Sequence, residues 1–152
     1  MTSDADADAV ARVRASFARQ GLMDTMGARM AHCAPGRVVL EMPFSESLSQ
    51  QHGFVHAGAI TALMDSAAGY AAMSLAPSGT EVLTVEFKSN LLAPARALRF
   101  RAEGSVLKSG RTVMVAEARC HGLEEGQEKL IATLTATMMV LTGRADLTGT
   151  SK

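Results

Sequence analysis

Residues 57–75 read AGAITALMDSAAGYAAMSL, and this stretch decides the fold. It contains no proline and a single charged side chain, Asp65. Ile60, Leu63, Met64, Ala67 and Ala71 recur at helical spacing on one face, while Thr61, Asp65 and Gly69 line another. A helix this apolar all round is a buried one. Its Ala, Gly and Ser side chains let a sheet approach closely.

On both sides of this helix the period changes to two. Val38, Leu40, Met42 and Phe44 alternate with Arg37, Val39, Glu41 and Pro43 after a turn at Pro35-Gly36. Beyond the helix four further runs alternate. Leu83, Val85 and Phe87 alternate with Thr84, Glu86 and Lys88, and Leu98, Phe100 and Ala102 with Arg99, Arg101 and Glu103. Val113, Val115 and Glu117 alternate with Thr112, Met114 and Ala116. Leu134, Met138 and Val140 alternate with Thr133, Thr135, Thr137 and Met139. Turns at 108–111 and 122–126 join the last three runs into an antiparallel meander. The expected class is α+β, one antiparallel sheet wrapped around one central helix.

An extra helix is expected over about 4–20, opened by Ser3, Asp4, Asp6 and Asp8 and closed at Gly21. A polar tail is expected over 144–152. With 152 residues the chain reads as one domain, 1–152.

Composition excludes several functions. Fifteen Lys+Arg balance fifteen Asp+Glu, so no basic excess is available for nucleic-acid phosphates. No apolar run reaches the ~20 residues of a membrane helix. Cys33 and Cys120 form no CxxC pair, and the acidic start lacks the layout of a signal peptide, so a cytoplasmic location is expected. There are ten Met, no Trp and one Tyr, so aliphatic and thioether groups fill the interior; Met23, Met64, Met73 and Phe54 are candidates for an adaptable apolar pocket.

Two features carry chemistry. Asp65 is the only charged residue between His56 and Glu81, and a carboxylate in an apolar helix has partners or a function. Immediately before the helix comes Gln50-Gln51-His52-Gly53-Phe54-Val55-His56-Ala57-Gly58, amides and imidazoles leading into a helix N-terminus with unpaired N–H groups suited to an oxyanion. His52 and His56 lack the glutamate of an HExxH site, and no metal is expected. There is no GxSxG elbow and no phosphate-binding glycine loop. Ser105-Val106-Leu107-Lys108 matches SxxK but falls on a strand and hairpin, so it is read as chance.

The order strand, loop, buried helix and meander, with Gln50-x5-His56-Ala57-Gly58-x6-Asp65, resembles the hotdog-fold acyl-CoA thioesterases of the PaaI-like (phenylacetic acid degradation) group, whose pattern is roughly N-x5-HGG-x6-D. The resemblance runs from about Met26 to Leu141. It implies hydrolysis of a medium-chain or aryl acyl-CoA to acid and free CoA, without a cofactor beyond the CoA of the substrate. Asp65 would be general base or nucleophile, the Ala57 N–H would polarise the carbonyl, Gln50 would orient water or substrate, and Thr84 would help place the water. His56, Gly58, His52 and Phe54 would line the substrate, and Lys88, Lys108 and Arg111 would meet the CoA phosphates. A homodimer, with pairing into a homotetramer left open, is implied as well. Ala57 in place of glycine and Gln50 in place of Asn are departures from the pattern. The alternatives are a non-catalytic acyl-CoA or small-ligand binding protein on the same fold, and a hotdog dehydratase or hydratase using His52 or His56.

One geometric point stands apart from the resemblance. Ala57 and Asp65 lie eight residues apart, about 12 Å along a helix. A base must come within about 3 Å of its water, so one helix cannot supply both groups to one carbonyl, and a site shared between two subunits is expected.

Overall fold

The structure, a computed structural model, describes residues 3–147. The central helix runs Ala57–Leu75 (α3), preceded by α1 (Asp4–Phe17) and the short α2 (Gly21–Thr25). Six strands follow the chain as β1 (Arg29–Ala34), β2 (Arg37–Pro43), β3 (Thr80–Leu91), β4 (Arg99–Ser109), β5 (Val113–Glu124) and β6 (Gln127–Thr142). They form one antiparallel sheet in the order β1-β2-β4-β5-β6-β3. The sheet wraps α3, which is the hotdog arrangement.

The predicted face of α3 is the buried one. Ile60, Leu63, Met64, Ala67 and Ala71 are inaccessible, whereas Thr61, Asp65 and Gly69 are half-buried. Phe100 and Ala102 from β4, Met114, Ala116 and Ala118 from β5, and Leu134, Ala136 and Met138 from β6 close over it. Gly104 of β4 permits the closest approach: a Cβ there would stand 2.3 Å from the Ala67 carbonyl. Met23 and Met64 belong to this core, so of the four candidate pocket residues only Phe54 and Met73 line the site cavities described below.

Three expectations change. The N-terminal helix ends at Phe17, not near residue 20, and Gly21 opens α2. Gln20 between them is extended, and its amide oxygen accepts from Ser66 Oγ on α3 at 3.0 Å, which holds the break in place. β1 is not expected from the sequence, because an edge strand with no fully buried side chain has no hydrophobic alternation to read.

The third change concerns β3. Strict alternation places Leu83, Val85 and Phe87 on one face, but the register slips between Thr84 and Glu86. Thr84 pairs with buried Met138 and Phe87 with buried Ala136, so both share the face towards α3. The 148–152 part of the expected tail lies outside the described residues; Ala145–Leu147 form a short 3₁₀ turn.

α1 is tied across α3. Arg12 donates to the Met73, Ala76 and Pro77 carbonyls, satisfying acceptors that the C-terminus of α3 leaves open. The Phe17 ring packs edge-on against Tyr70, with centroids 5.8 Å apart.

Candidate active site

The loop entering α3 is built around His56. Its Nδ1 accepts from the Gly58 N–H at 2.8 Å, capping the helix, and its carbonyl accepts from the Ala59 and Ile60 N–H groups. That leaves the Ala57 N–H without an acceptor among the described residues. The cap therefore removes Gly58 from the candidate donors and selects Ala57.

Gln50 is fixed by the same loop. Its backbone N–H donates to the Phe54 carbonyl, and its side-chain Oε1 accepts from the His52 N–H. This assigns the amide orientation and leaves Nε2 as a donor without a partner among the described residues. Gln50, Phe54, His56 and Ala57 line a cavity of about 560 Å³, together with Leu91 and Leu92.

Asp65 occupies a different place. Thr84 Oγ1 on β3 donates to its Oδ1 at 2.8 Å. Burial pushes the Asp65 carboxyl above the usual carboxylate range, and the Thr84 bond pulls it part of the way back. Oδ2 makes no hydrogen bond among the described residues. Asp65 and Thr84 line a second cavity of about 350 Å³, which shares no lining residue with the first. The chain thus places an N–H without an acceptor at the start of α3 and a carboxylate two turns along it, in separate cavities.

The Asp65 cavity lies against β3, an edge of the sheet with one side unpaired. There the apolar side chains of Leu83 (48%), Val85 (59%), Phe87 (46%) and Leu91 (54%) are exposed.

Other predicted residues are dispersed. His52 is in an exposed turn, and neither His52 nor His56 has a carboxylate partner among the described residues, as a hydratase pairing requires. Lys88 lies on β3, Lys108 at the end of β4 and Arg111 in the following hairpin; all are exposed, and none lines either cavity. Among the described residues no three His, Cys, Asp or Glu side chains converge as a metal site would need. Ser16, Gln20 and Tyr70 line the Asp65 cavity and were not foreseen. Ser16 and Gln20 are distant in sequence from Asp65, and only the single Tyr within the apolar helix hinted at a polar tip needing a partner.

Comparison with known proteins accords with this layout. The sequence profile of the Thioesterase superfamily matches residues 52–129, from the donor loop through the hairpin after β5. A solved thioesterase family protein from Silicibacter pomeroyi is 51% identical, with a TM-score of 0.87, covering 89% of this chain and 99% of that one. A putative esterase of Saccharolobus solfataricus is 38% identical over 82 residues, 54% of this chain; the match spans 58% of that esterase's length. The 1,4-dihydroxy-2-naphthoyl-CoA hydrolase of Listeria monocytogenes is 25% identical over 120 residues, 79% of this chain and 95% of that one. The chain belongs to the thioesterase superfamily, and its class is that of the thioester hydrolases.

Proposed function

We propose that the protein is an acyl-CoA thioesterase acting as a homodimer on an acyl group larger than acetyl, medium-chain or aryl. The observation that carries this reading is the pair of half-sites: an N–H free to meet a carbonyl oxygen, and a part-buried carboxylate with one oxygen free to meet water, in separate cavities of one chain. A two-fold axis at the β3 edge, running the two α3 helices antiparallel, joins the donor half of one protomer to the carboxylate half of its partner and covers apolar side chains exposed on β3.

In the joined site the thioester oxygen accepts from the Ala57 N–H and from Gln50 Nε2. Asp65 Oδ2 takes a proton from water, whose oxygen bonds to the carbonyl carbon. The oxyanion so formed is held by the two donors. Its collapse breaks the C–S bond, releasing the carboxylic acid and the thiolate of CoA, which takes up the proton. Thr84 keeps Asp65 oriented by occupying Oδ1. The cysteines Cys33 and Cys120 are both free, in keeping with a reducing, cytoplasmic setting.

Thiol release from a panel of acyl-CoAs, followed with Asp65→Asn beside the wild type, tests the reading. The wild type is expected to turn over and the variant to lose about 10²–10⁴-fold in kcat, the usual contribution of a positioned base. Near-wild-type turnover by Asp65→Asn would remove Asp65 from the reaction, and absence of turnover by the wild type on every thioester would leave a binding protein.

A further inference from the structure

Two side-chain hydrogen bonds join α3 to β3 among the described residues, and only one of them has a place in the reaction proposed above. That one runs from Thr84 Oγ1 to Asp65 Oδ1 at 2.8 Å. The other runs from Thr61 Oγ1 to Ser89 Oγ at 3.3 Å, with both hydroxyls part-buried. Thr61 stands one helical turn after Ala57 and one before Asp65, so the three lie along one strip of α3. The remaining contact between the two elements is thin. β3 has a neighbouring strand, β6, on one side only. Phe87 and Leu91 pair with buried residues of β6 and so face α3, yet both remain exposed. No buried apolar seam therefore locks this stretch of β3 against the helix. The ladder to β6 also slips between Thr84 and Glu86, immediately beside the residue that holds Asp65.

Asp65 depends on that one partner. Its cavity is lined by no Lys or Arg; β3 adds the carboxylate of Glu81, α3 adds the Tyr70 hydroxyl, and the segment between α1 and α2 adds only neutral Ser16 and Gln20. None of these is hydrogen-bonded to Asp65 among the described residues. Burial disfavours the ionised carboxyl, and the Thr84 hydroxyl is the group that offsets it. A hydroxyl donor loses its effect when distance or angle is spoiled, so the placing of β3 against α3 decides how well Asp65 is held.

Resting on the reading of Asp65 as the base, we infer that Thr61 and Ser89 are positioning residues: their hydrogen bond fixes β3 against α3 beyond the bulge and so keeps the Thr84 hydroxyl on Asp65. Neither residue lines the Asp65 cavity, and both act through Thr84.

The test is the pH profile of kcat/KM on octanoyl-CoA and benzoyl-CoA, with a carbon NMR titration of the Asp65 carboxyl beside it. Thr61→Val keeps the volume and removes the donor; Ser89→Ala removes the acceptor from the other element, so if one variant fails to fold the other reads the same bond. Each is expected to raise the acid limb and the Asp65 titration by about half a pH unit or more, the direction expected when the Thr84 bond weakens. Each is also expected to lower kcat about threefold or more, with KM within about twofold. Thr61→Ser retains the donor and is expected to restore the wild-type limb. Because the effect passes through Thr84, adding Thr61→Val to Thr84→Val is expected to move the limb no further than Thr84→Val alone. A folded single variant whose limb and titration stay in place, even with lower stability, would overturn the inference, and so would shifts that add in the double variant. The titration needs no turnover. Near-wild-type turnover by Asp65→Asn would remove Asp65 as the base while the titration still reports the Thr61–Ser89 bond. Turnover abolished by Asp65→Asn with unmoved titrations in Thr61→Val and Ser89→Ala would sink the positioning role alone and leave the thioesterase reading standing.

Discussion

At the scale of the residue, Asp65 is held between two opposing influences. Desolvation against α3 and β3 favours its protonated form, and the hydrogen bond from Thr84 favours its ionised form, with desolvation the larger. With Asp65 as the proposed base, which works only when ionised, activity is expected to fall as pH drops through its pKa, at a higher pH than a free aspartate would give. Thr84→Val keeps the shape and removes the donor. The carboxyl pKa then rises further, and the acid limb of the kcat/KM profile is expected to move to higher pH, with the maximal rate also reduced. A profile whose acid limb stays in place or moves down would show that Thr84 does not stabilise the reacting carboxylate. His56 makes the complementary point: its imidazole serves the helix end, and by engaging Gly58 it leaves Ala57 as the donor that faces the cavity.

At the scale of the element, the distance between β4 and α3 is set by one position. Gly104 sits where any side chain would strike backbone atoms of Ala67 and Ala68, and backbone cannot swing aside as a flexible side chain does. Gly104→Ala forces α3 away from the strand and loosens the alanine-rich face throughout its length. Denaturant unfolding is expected to show a loss of about 1–3 kcal/mol or more, the range for overpacking a tight core. A loss within about 0.5 kcal/mol, the range of neutral surface changes, would mean that the helix and sheet tolerate separation here. The other end of α3 is closed by Arg12, whose three carbonyl contacts join α1 to the core beside the Asp65 cavity.

At the scale of the whole molecule, half-sites imply a partner. Mixing inactive Asp65→Asn with inactive Gln50→Ala, under conditions in which subunits exchange, makes mixed dimers. Each has one site that combines an unaltered Asp65 with an unaltered Gln50 and one site that is doubly broken. About a quarter of the wild-type rate is expected to return, because about half the dimers are mixed and each has one working site. Exchange without recovery would confine the site to one chain. Lys88, Lys108 and Arg111 belong to this scale as well: they line neither of the two cavities, so in the proposed dimer a contact with CoA phosphates is expected across the interface.

The sequence by itself determined the central helix and most of the sheet. Residues 57–75 are apolar on a 3.6-residue period with one charge, and α3 occupies the same span; the alternation in the β4-β5-β6 meander is equally plain, because one face of those strands meets the core. Asp65 was legible for the same reason, as a carboxylate that breaks an apolar pattern. Only the tertiary structure decided the rest. Phe87 joins Thr84 on the face towards α3 because a bulge at Val85 reverses the alternation of β3, and a bulge is a matter of strand pairing that no local pattern records. Ser16 and Gln20 meet Tyr70 and Ser66 across more than forty positions of chain, since α1 lies over α3. Which N–H is free depends on a ring nitrogen of His56 turning back on its own helix. Local periodicity reports which faces are buried; it does not report which distant groups are buried together.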